Sequence, residues 1–480
     1  TLLLLLLLFL LPFSSFSFSY SCYFSSHSSS SSSSPPLLPS APPHLLLLLL
    51  FLLLLISSFS SFSSSHSSKL LVLGGGAAGC SMAAKFTSSL GKGQVTVVEP
   101  TDTHYYQPMF TLIGGGMKTL SDSRRPMSQV LPSGAEWVKD KIVSFDPDNN
   151  TVRTQDGKQI EYEYMIVASG IQMYYDRVKG LLEALEDPDS GVSTNYSPHY
   201  VEKTLKNLQR FQQGNVLYTF PNTPIKCGGA PMKAVLIGDE YLRKHGKRDV
   251  AKLTYCTGMG VLFPSPFYAE KIQTILLGRG VELHKNKTLV EVDRAGNEAV
   301  FKTGDTTERM RYDTMHVTPP MGPVPELATS PLVDQTGYVT VDKTTLQHVK
   351  YGNVFAMGDC SNLPTSKTAA AVAAQCKVVY DNLSAVMAHK VLPQSYNGYT
   401  SCPLVTGYSK CMLAEFDYTL KPLETFPLDQ SKERSVMFQL KKQIMPLLYW
   451  HLMLRGYWNG PGVFRNMFHL GGIIKQQNRE

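Results

Sequence analysis

The stretch from Lys69 to Glu99 constrains the fold of this 480-residue chain more than any other. Residues 69–73 (KLLVL) form an apolar run that predicts a strand, followed by Gly74-Gly75-Gly76-Ala77-Ala78-Gly79 and a small-residue helix through Met82, Ala83 and Ala84 that stops near Gly91. A second strand is expected at Gln94–Val98, ending in Glu99, 25 residues beyond Gly74. In a strand–helix–strand unit this spacing has a physical logic. Gly74 permits the tight turn, Gly76 lets a pyrophosphate approach bare backbone, Gly79 brings helix and strand together, and Glu99 reaches ribose hydroxyls. A glycine loop alone is weak evidence; set between two strands and closed by an acid, it predicts a dinucleotide site.

A second segment narrows the choice of dinucleotide. Residues 353–358 predict an apolar strand ending in Gly358-Asp359, and Thr365-Ser366-Lys367-Thr368 leads into a helix from Ala369 to Asn382. Together with the Tyr164-Met165-Ile166-Val167-Ala168-Ser169-Gly170 strand, this resembles two-dinucleotide-domain flavoproteins. There the Asp of the Gly-Asp pair holds the ribityl or phosphate part of FAD, and the following helix points its N-terminus at the flavin. The helix dipole and Lys367 would favour the anion of reduced flavin. The plainer reading of Asp359 is a turn acid.

Such flavoproteins usually carry a second glycine-rich unit for NAD(P)H, expected here between about residues 210 and 300. A strand is expected at 215–220, but Pro221-Asn222-Thr223-Pro224-Ile225-Lys226-Cys227-Gly228-Gly229-Ala230-Pro231 follows it, without a GxGxxG pattern. Pro221, Pro224 and Cys227 stand where a pyrophosphate would need bare backbone, so the electron donor is not expected to be NAD(P)H. Cys227 sits at a strand end beside Lys226 and near Lys233, cationic neighbours that would lower its pKa, and a flavin can accept electrons from a thiolate. Its partner is open among the other cysteines: Cys402 lies in another Pro-flanked loop, Cys360 follows Asp359, and Cys80, Cys256, Cys376 and Cys411 read as packing residues.

Composition excludes some classes. Lys plus Arg number 45 and Asp plus Glu 38, a net +7 in a chain only 17% charged, so no nucleic-acid partner is indicated. The eight cysteines form no CxxC pair and no zinc-spaced cluster, and no metal site is expected. Residues 1–68 contain no Asp, Glu, Lys or Arg and consist largely of Ser and Leu. They are expected to be a disordered or targeting leader, with the 12-residue apolar run Leu45–Ile56 too short to span a bilayer. His104, His316 and His348 read as structural rather than catalytic.

The motifs VLGGGAAG, FPNTPIKCGGAPMK, HVTPPM, GDCSNLPTSKTAAAVAAQ, YTSCPLVTG and MPLLYWHLMLRGYWNGP together resemble the mitochondrial type of sulfide:quinone oxidoreductase, from about Leu70 to Leu470. The resemblance implies that Cys227 and Cys402 form the redox centre, demoting Cys360, and that Gly76, Ala77, Ala78, Glu99, Gln107, Asp359 and Lys367 surround FAD. It further implies a Cys227–Cys402 bridge through an extra sulfur, opened by hydrogen sulfide as hydrosulfide at Cys402. Two electrons then pass via FAD to ubiquinone, and the outer sulfur to a small-molecule acceptor such as glutathione or sulfite. Localisation follows as the mitochondrial inner membrane, peripheral or monotopic, with the leader as transit peptide.

A lipid-soluble quinone requires access to the membrane surface. Gln443–Leu454 carries no charge, and Tyr449, Trp450, Tyr457 and Trp458 cluster at its end, with Lys441, Lys442, Arg455 and Arg465 flanking. This suits an amphipathic monotopic helix; a core or interface helix is the alternative. The expected fold is α/β, with two Rossmann-like (FAD/NAD(P)-type) domains and a C-terminal membrane-facing helical region. Residues 69–195 and 331–395 form the FAD domain, 196–330 a degenerate second domain carrying Cys227, and 396–480 the C-terminal region with Cys402. A type II NADH:quinone dehydrogenase would need an intact second fingerprint, and a non-catalytic flavin-binding membrane scaffold would need no paired cysteines.

Overall fold

The computed structural model describes residues 66–469; the leader through residue 65, with its Leu45–Ile56 run, and residues 470–480 lie outside the described residues. The first strand starts at His66, so residues 66–68, expected in the leader, belong to the sheet.

That strand, His66–Leu73, lies parallel between Val95–Val98 and the long strand Gln159–Val167. Glu136–Val138 extends the parallel array beyond Val95–Val98, and Val354–Ala356 pairs with residues 165–167. An antiparallel hairpin, Ile142–Asp146 and Thr151–Thr154, completes the seven-stranded sheet by joining the start of Gln159–Val167. The central strands read as continuous apolar runs because both of their faces are buried. Leu70, Leu71, Val72, Val95, Val97, Met165, Ile166 and Val354 are buried in one core with Cys80, Met82 and Phe86 of the helix Ala77–Leu90 and Cys376, Val379 and Leu383 of the helix Ala369–Met387.

A second, five-stranded sheet is wholly parallel, in the order Val192–Ser193, Thr314–His316, Gly214–Phe220, Ala251–Thr257, Glu282–His284. Helices Ala230–Lys244 and Pro266–Gly278 follow its two longest strands, as right-handed crossovers between parallel neighbours require. Val192–Ser193 joins this sheet from ahead of the expected boundary at residue 196, and an antiparallel meander at 288–311 precedes its last strand.

The strands Thr400–Val405 and Cys411–Phe416 form a hairpin whose Cys402, Leu404, Met412, Ala414 and Phe416 pack into the core of the second sheet, against Met232, Tyr255 and Phe263. Its Cys402 and Leu404 lie against Gly229, at the start of the helix that follows Gly214–Phe220, where a nucleotide would lie in an open doubly wound sheet, and its turn runs on beside Glu240 and Arg279. Beyond it, residues 435–453 wind as one rod in which α-helical turns alternate with π-helical turns at Leu440–Ile444 and Tyr449–Met453. Among the described residues no helix is long and apolar enough to cross a membrane.

Candidate functional site

The glycine loop leaves the first strand at Gly74, whose φ of +101° a side-chain-bearing residue rarely adopts. Gly79 sits one helical turn in, and a Cβ there would lie 1.7 Å from the Gly74 carbonyl oxygen, so only glycine lets helix and strand meet this closely. Gly76, by contrast, has open space where a Cβ would stand. The Glu99 carboxylate accepts from the Gly75 amide at 2.6 Å and from the Thr101 amide and hydroxyl at 2.8 and 2.6 Å. Expected as a ribose ligand, Glu99 also shapes the loop that would hold the pyrophosphate.

This loop forms one end of a cavity of about 1180 Å³, large enough for a dinucleotide and a second ligand. Of the residues singled out in the sequence, Gly74, Gly76, Ala77, Ala78, Glu99, Gln107, Cys227, Asp359 and Lys367 line it. Gly79 and Cys402 do not: Gly79 packs behind the loop, and Cys402 is buried behind Cys227, with its neighbours Ser401 and Pro403 in the wall. Bare backbone at Gly76, the start of the Ala77–Leu90 helix and an acid at the end of the second strand fit a bound FAD pyrophosphate and ribose.

At the far side Thr368 caps the Ala369–Met387 helix by accepting from the Ala371 amide at 3.1 Å. The Lys367 ammonium turns back to donate to the carbonyls of Asp359 and Ser361 at 2.6 and 3.2 Å, which ties the Gly358-Asp359 turn to the helix start. Burial pushes the Asp359 carboxyl above its ordinary range, against the opposing pull of Lys367 and Lys226.

The two cysteines meet here across 175 positions. Cys227 Sγ and Cys402 Sγ lie 3.1 Å apart, both as free thiols. Cys227 has a left-handed backbone, φ +54°, and its amide donates to the Lys367 carbonyl at 2.8 Å, so the thiol loop is pinned to the loop that starts the Ala369–Met387 helix. Gly229 makes the approach of the hairpin possible, since a Cβ there would lie 2.6 Å from Cys402 Sγ. Cys360 is fully buried, its thiol directed at the main-chain carbonyls of Val167 and Met357, and burial raises its pKa. Cys80, Cys256, Cys376 and Cys411 are likewise buried, with raised pKa values.

The charges around the pair differ from the sequence expectation. Lys226 turns away and donates to Gln107 Oε1 at 3.2 Å; the cation on the sulfur is Lys233, whose ammonium lies 3.4 Å from Cys227 Sγ. The Cys402 thiol donates to Cys227, and that bond together with Lys233 holds the Cys227 pKa well below the ordinary value despite burial. Cys402, as the buried donor, is pushed well above it. Burial works against the charge on Lys233, but the two sulfurs outweigh it and raise its pKa.

Lys441 is a functional candidate that the sequence reading missed. Read as a charge flanking a membrane helix, it is 2% exposed, donates to the Pro108 carbonyl at 2.9 Å and acts on the same sulfurs. Burial and the neighbouring Lys233 bring its pKa down to about 8. The reading of Tyr449 and Trp450 as membrane-facing is corrected in the same way: both are buried, facing Tyr106 and His104. The exposed apolar side chains of the tail are instead Ile444, Leu447, Leu452, Tyr457, Val463, Phe464, Met467 and Phe468.

Residues 68–375 match the model of the pyridine nucleotide-disulphide oxidoreductase family. The chain is 50% identical over 396 residues to the mitochondrial sulfide:quinone oxidoreductase of Mus musculus, covering 82% of this chain and 88% of the relative. It is 45% identical over 394 residues to the Dictyostelium discoideum protein of the same name, covering 81% and 86%. The X-ray structure of the sulfide:quinone oxidoreductase of Aquifex aeolicus superposes with a TM-score of 0.69 at 18% identity, over 85% of this chain and 95% of that one, a likeness of fold.

Proposed function

We propose a site chemistry that proceeds from one premise: the chain belongs to the pyridine nucleotide-disulphide oxidoreductase family and, within it, to the mitochondrial sulfide:quinone oxidoreductases. It is a flavoprotein oxidoreductase that oxidises sulfide and reduces quinone.

The finer reading rests on one observation, the 3.1 Å approach of Cys227 and Cys402 beside the Lys233 ammonium. In the resting enzyme the two sulfurs are joined through one additional sulfur. Two S–S bonds of ~2.05 Å meeting at a bent central atom span roughly 3.3 Å, close to the separation found. Hydrosulfide forms a bond to Cys402 Sγ and breaks the bond from Cys402 to the central sulfur. Cys402 becomes a persulfide, and the central sulfur departs as an anion on Cys227. Attack is directed to the Cys402 side because the anion left on the Cys227 side is stabilised by Lys233 and Lys441, and the better-stabilised sulfur leaves faster. Lys233, without exposed surface to escape to, holds its charge in place as that anion forms.

Gly76, Ala77, Ala78, Glu99, Gln107, Asp359 and Lys367 would hold FAD, which would supply a two-electron acceptor between the cysteine sulfurs and ubiquinone. The outer sulfur of the Cys402 persulfide leaves to a thiol or sulfite acceptor, and the freed Cys402 thiolate bonds to the terminal sulfur on Cys227, re-forming the bridge and releasing the two electrons that the flavin would accept. The exposed apolar side chains between Ile444 and Phe468 seat the protein on a membrane surface, at the mitochondrial inner membrane, where a long-chain quinone is dissolved.

An anaerobic titration of the flavin absorbance tests the choice of electron donor. Sulfide bleaches the flavin band on mixing, and NADH does so slowly or not at all, because the hairpin carrying Cys402 and Leu404 packs where the nicotinamide nucleotide would lie. Rapid bleaching by NADH overturns the reading in favour of an NADH:quinone dehydrogenase.

A further inference from the structure

The peptide group of Gly75, inside the dinucleotide loop, is held from both sides. Its amide donates to Glu99, and its carbonyl accepts from the Cys80 thiol at 3.0 Å and from His104 Nδ1 at 2.9 Å. A carbonyl only accepts, so Nδ1 carries the imidazole proton. Burial holds the His104 pKa down at about 4, and the ring is neutral at working pH. Nε2 is therefore a bare lone pair, and its 2.6 Å contact with Tyr449 is the tyrosine O–H donating to it.

Tyr449 opens the second π-helical turn of the tail, 345 positions from His104, and its ring packs on Tyr106 at 4.4 Å between centroids. Arg125 lies over the neighbouring Trp450 ring at 4.4 Å. π turns recur at functional sites, and at this one Tyr449 is buried while Leu447 and Leu452 remain exposed.

We propose that His104 is a positioning residue that couples docking of the C-terminal rod to the shape of the dinucleotide loop, through the chain Tyr449 O–H to His104 to the Gly75 carbonyl. The tail is then part of the cofactor site as well as a surface element. Docking of residues 440–454 and FAD binding favour one another, and by linkage the effect is reciprocal. The FAD arm of this proposal rests on the flavin reading above; the coupling of His104 to the tail does not.

Binding of FAD to apoprotein, followed by quenching of free-flavin fluorescence, tests it in the parent, Tyr449→Phe, His104→Leu, His104→Gln and Tyr449→Phe/His104→Leu. Loss of one buried hydrogen bond should weaken FAD binding about ten-fold in Tyr449→Phe and in His104→Leu, with the double variant no weaker than His104→Leu. A glutamine amide can donate to one partner and accept from the other, so His104→Gln should recover part of the loss. Amide hydrogen exchange of residues 440–454 in the apoprotein should quicken in His104→Leu. Should His104→Leu not fold, Tyr449→Phe and His104→Gln carry the test. Unchanged affinity in Tyr449→Phe, losses that multiply in the double variant, or unchanged exchange in the tail would overturn the coupling. A parent apoprotein that takes up no FAD would instead remove the flavin reading and leave the exchange result to decide the coupling.

Discussion

The Cys227 amide donates to the Lys367 carbonyl at 2.8 Å, joining the thiol loop to the loop that begins the Ala369–Met387 helix. The same contact holds Cys227 at φ +54°, a conformation in which a side-chain-bearing residue is strained by about 1–2 kcal/mol. Cys227→Gly should therefore be more stable than Cys227→Ala by about 1 kcal/mol, although both lack the sulfur. Urea unfolding of the two variants measures the difference; equal midpoints would mean the loop relaxes without cost.

The cations around the pair should be separable by their effect on sulfur ionisation. Lys233→Met removes the ammonium 3.4 Å from Cys227 Sγ and should raise the pH at which reduced enzyme is alkylated at Cys227. Lys441 is charged below about pH 8 and neutral above it, so its support of the Cys227 thiolate fades as the pH rises through that value. The parent should show an alkaline decline in sulfide-dependent flavin reduction near pH 8 that is missing in Lys441→Met. A decline persisting in that variant would assign it to another group.

Acid stability follows from two buried histidines. His104 and His316 are each depressed to about 4 by burial, from an ordinary value of 6.5. The unfolded chain takes up a proton at each as the pH falls below 6.5, whereas the folded chain does so only near 4. The unfolded state thus holds more protons between these values, and stability falls on acidification by about 1.4 kcal/mol per pH unit for each histidine. His316→Phe should show a shallower decline of urea midpoint between pH 6.5 and 4 than the parent; an identical slope would show that His316 is not buried in neutral form.

The tail separates into an inward and an outward face. Replacing the exposed Leu447, Leu452 and Val463 by Ser should leave the protein folded and flavin-loaded and remove roughly 4 kcal/mol of partitioning, on the order of a thousand-fold in liposome binding. Reduction of long-chain ubiquinone should suffer more than that of a short soluble analogue. Trp450→Ser, which opens a hole in the core beside His104, should instead lower thermal stability. Flotation of the triple variant with liposomes like the parent would place membrane contact elsewhere.

The contrast between Lys226 and Lys233 illustrates how far the sequence could be read. The glycine loop and the Gly358-Asp359 turn were legible because their requirements are local: a turn, a bare backbone, a cap. Lys226, adjacent to Cys227 in sequence, points away. Lys233 lies in the first turn of the Ala230–Lys244 helix, where side chains lean towards the helix N-terminus, and so reaches back to the sulfur. The pairing of Cys227 with Cys402 joins residues 175 positions apart, which no local pattern specifies; it came from family resemblance. Lys441, Tyr449 and Trp450 read as interfacial because charges and aromatics flank an uncharged run, but the groups that draw them inward, Pro108, Tyr106 and His104, are more than 300 positions away in sequence. The π turn at Leu440–Ile444 also shifts the helical phase of the residues after it, which hydrophobic periodicity does not show.

Anaerobic stopped-flow reduction of the flavin by sulfide, in parent and single cysteine variants, tests the assignment of Cys227 and Cys402 most directly. Cys227→Ser and Cys402→Ser should each retain FAD and lose sulfide-dependent flavin reduction by orders of magnitude, since one sulfur cannot re-form the bridge. Cys360→Ser and Cys376→Ser, whose thiols are buried away from the pair, should reduce like the parent. Parent-like reduction in Cys402→Ser would contradict the two-cysteine centre.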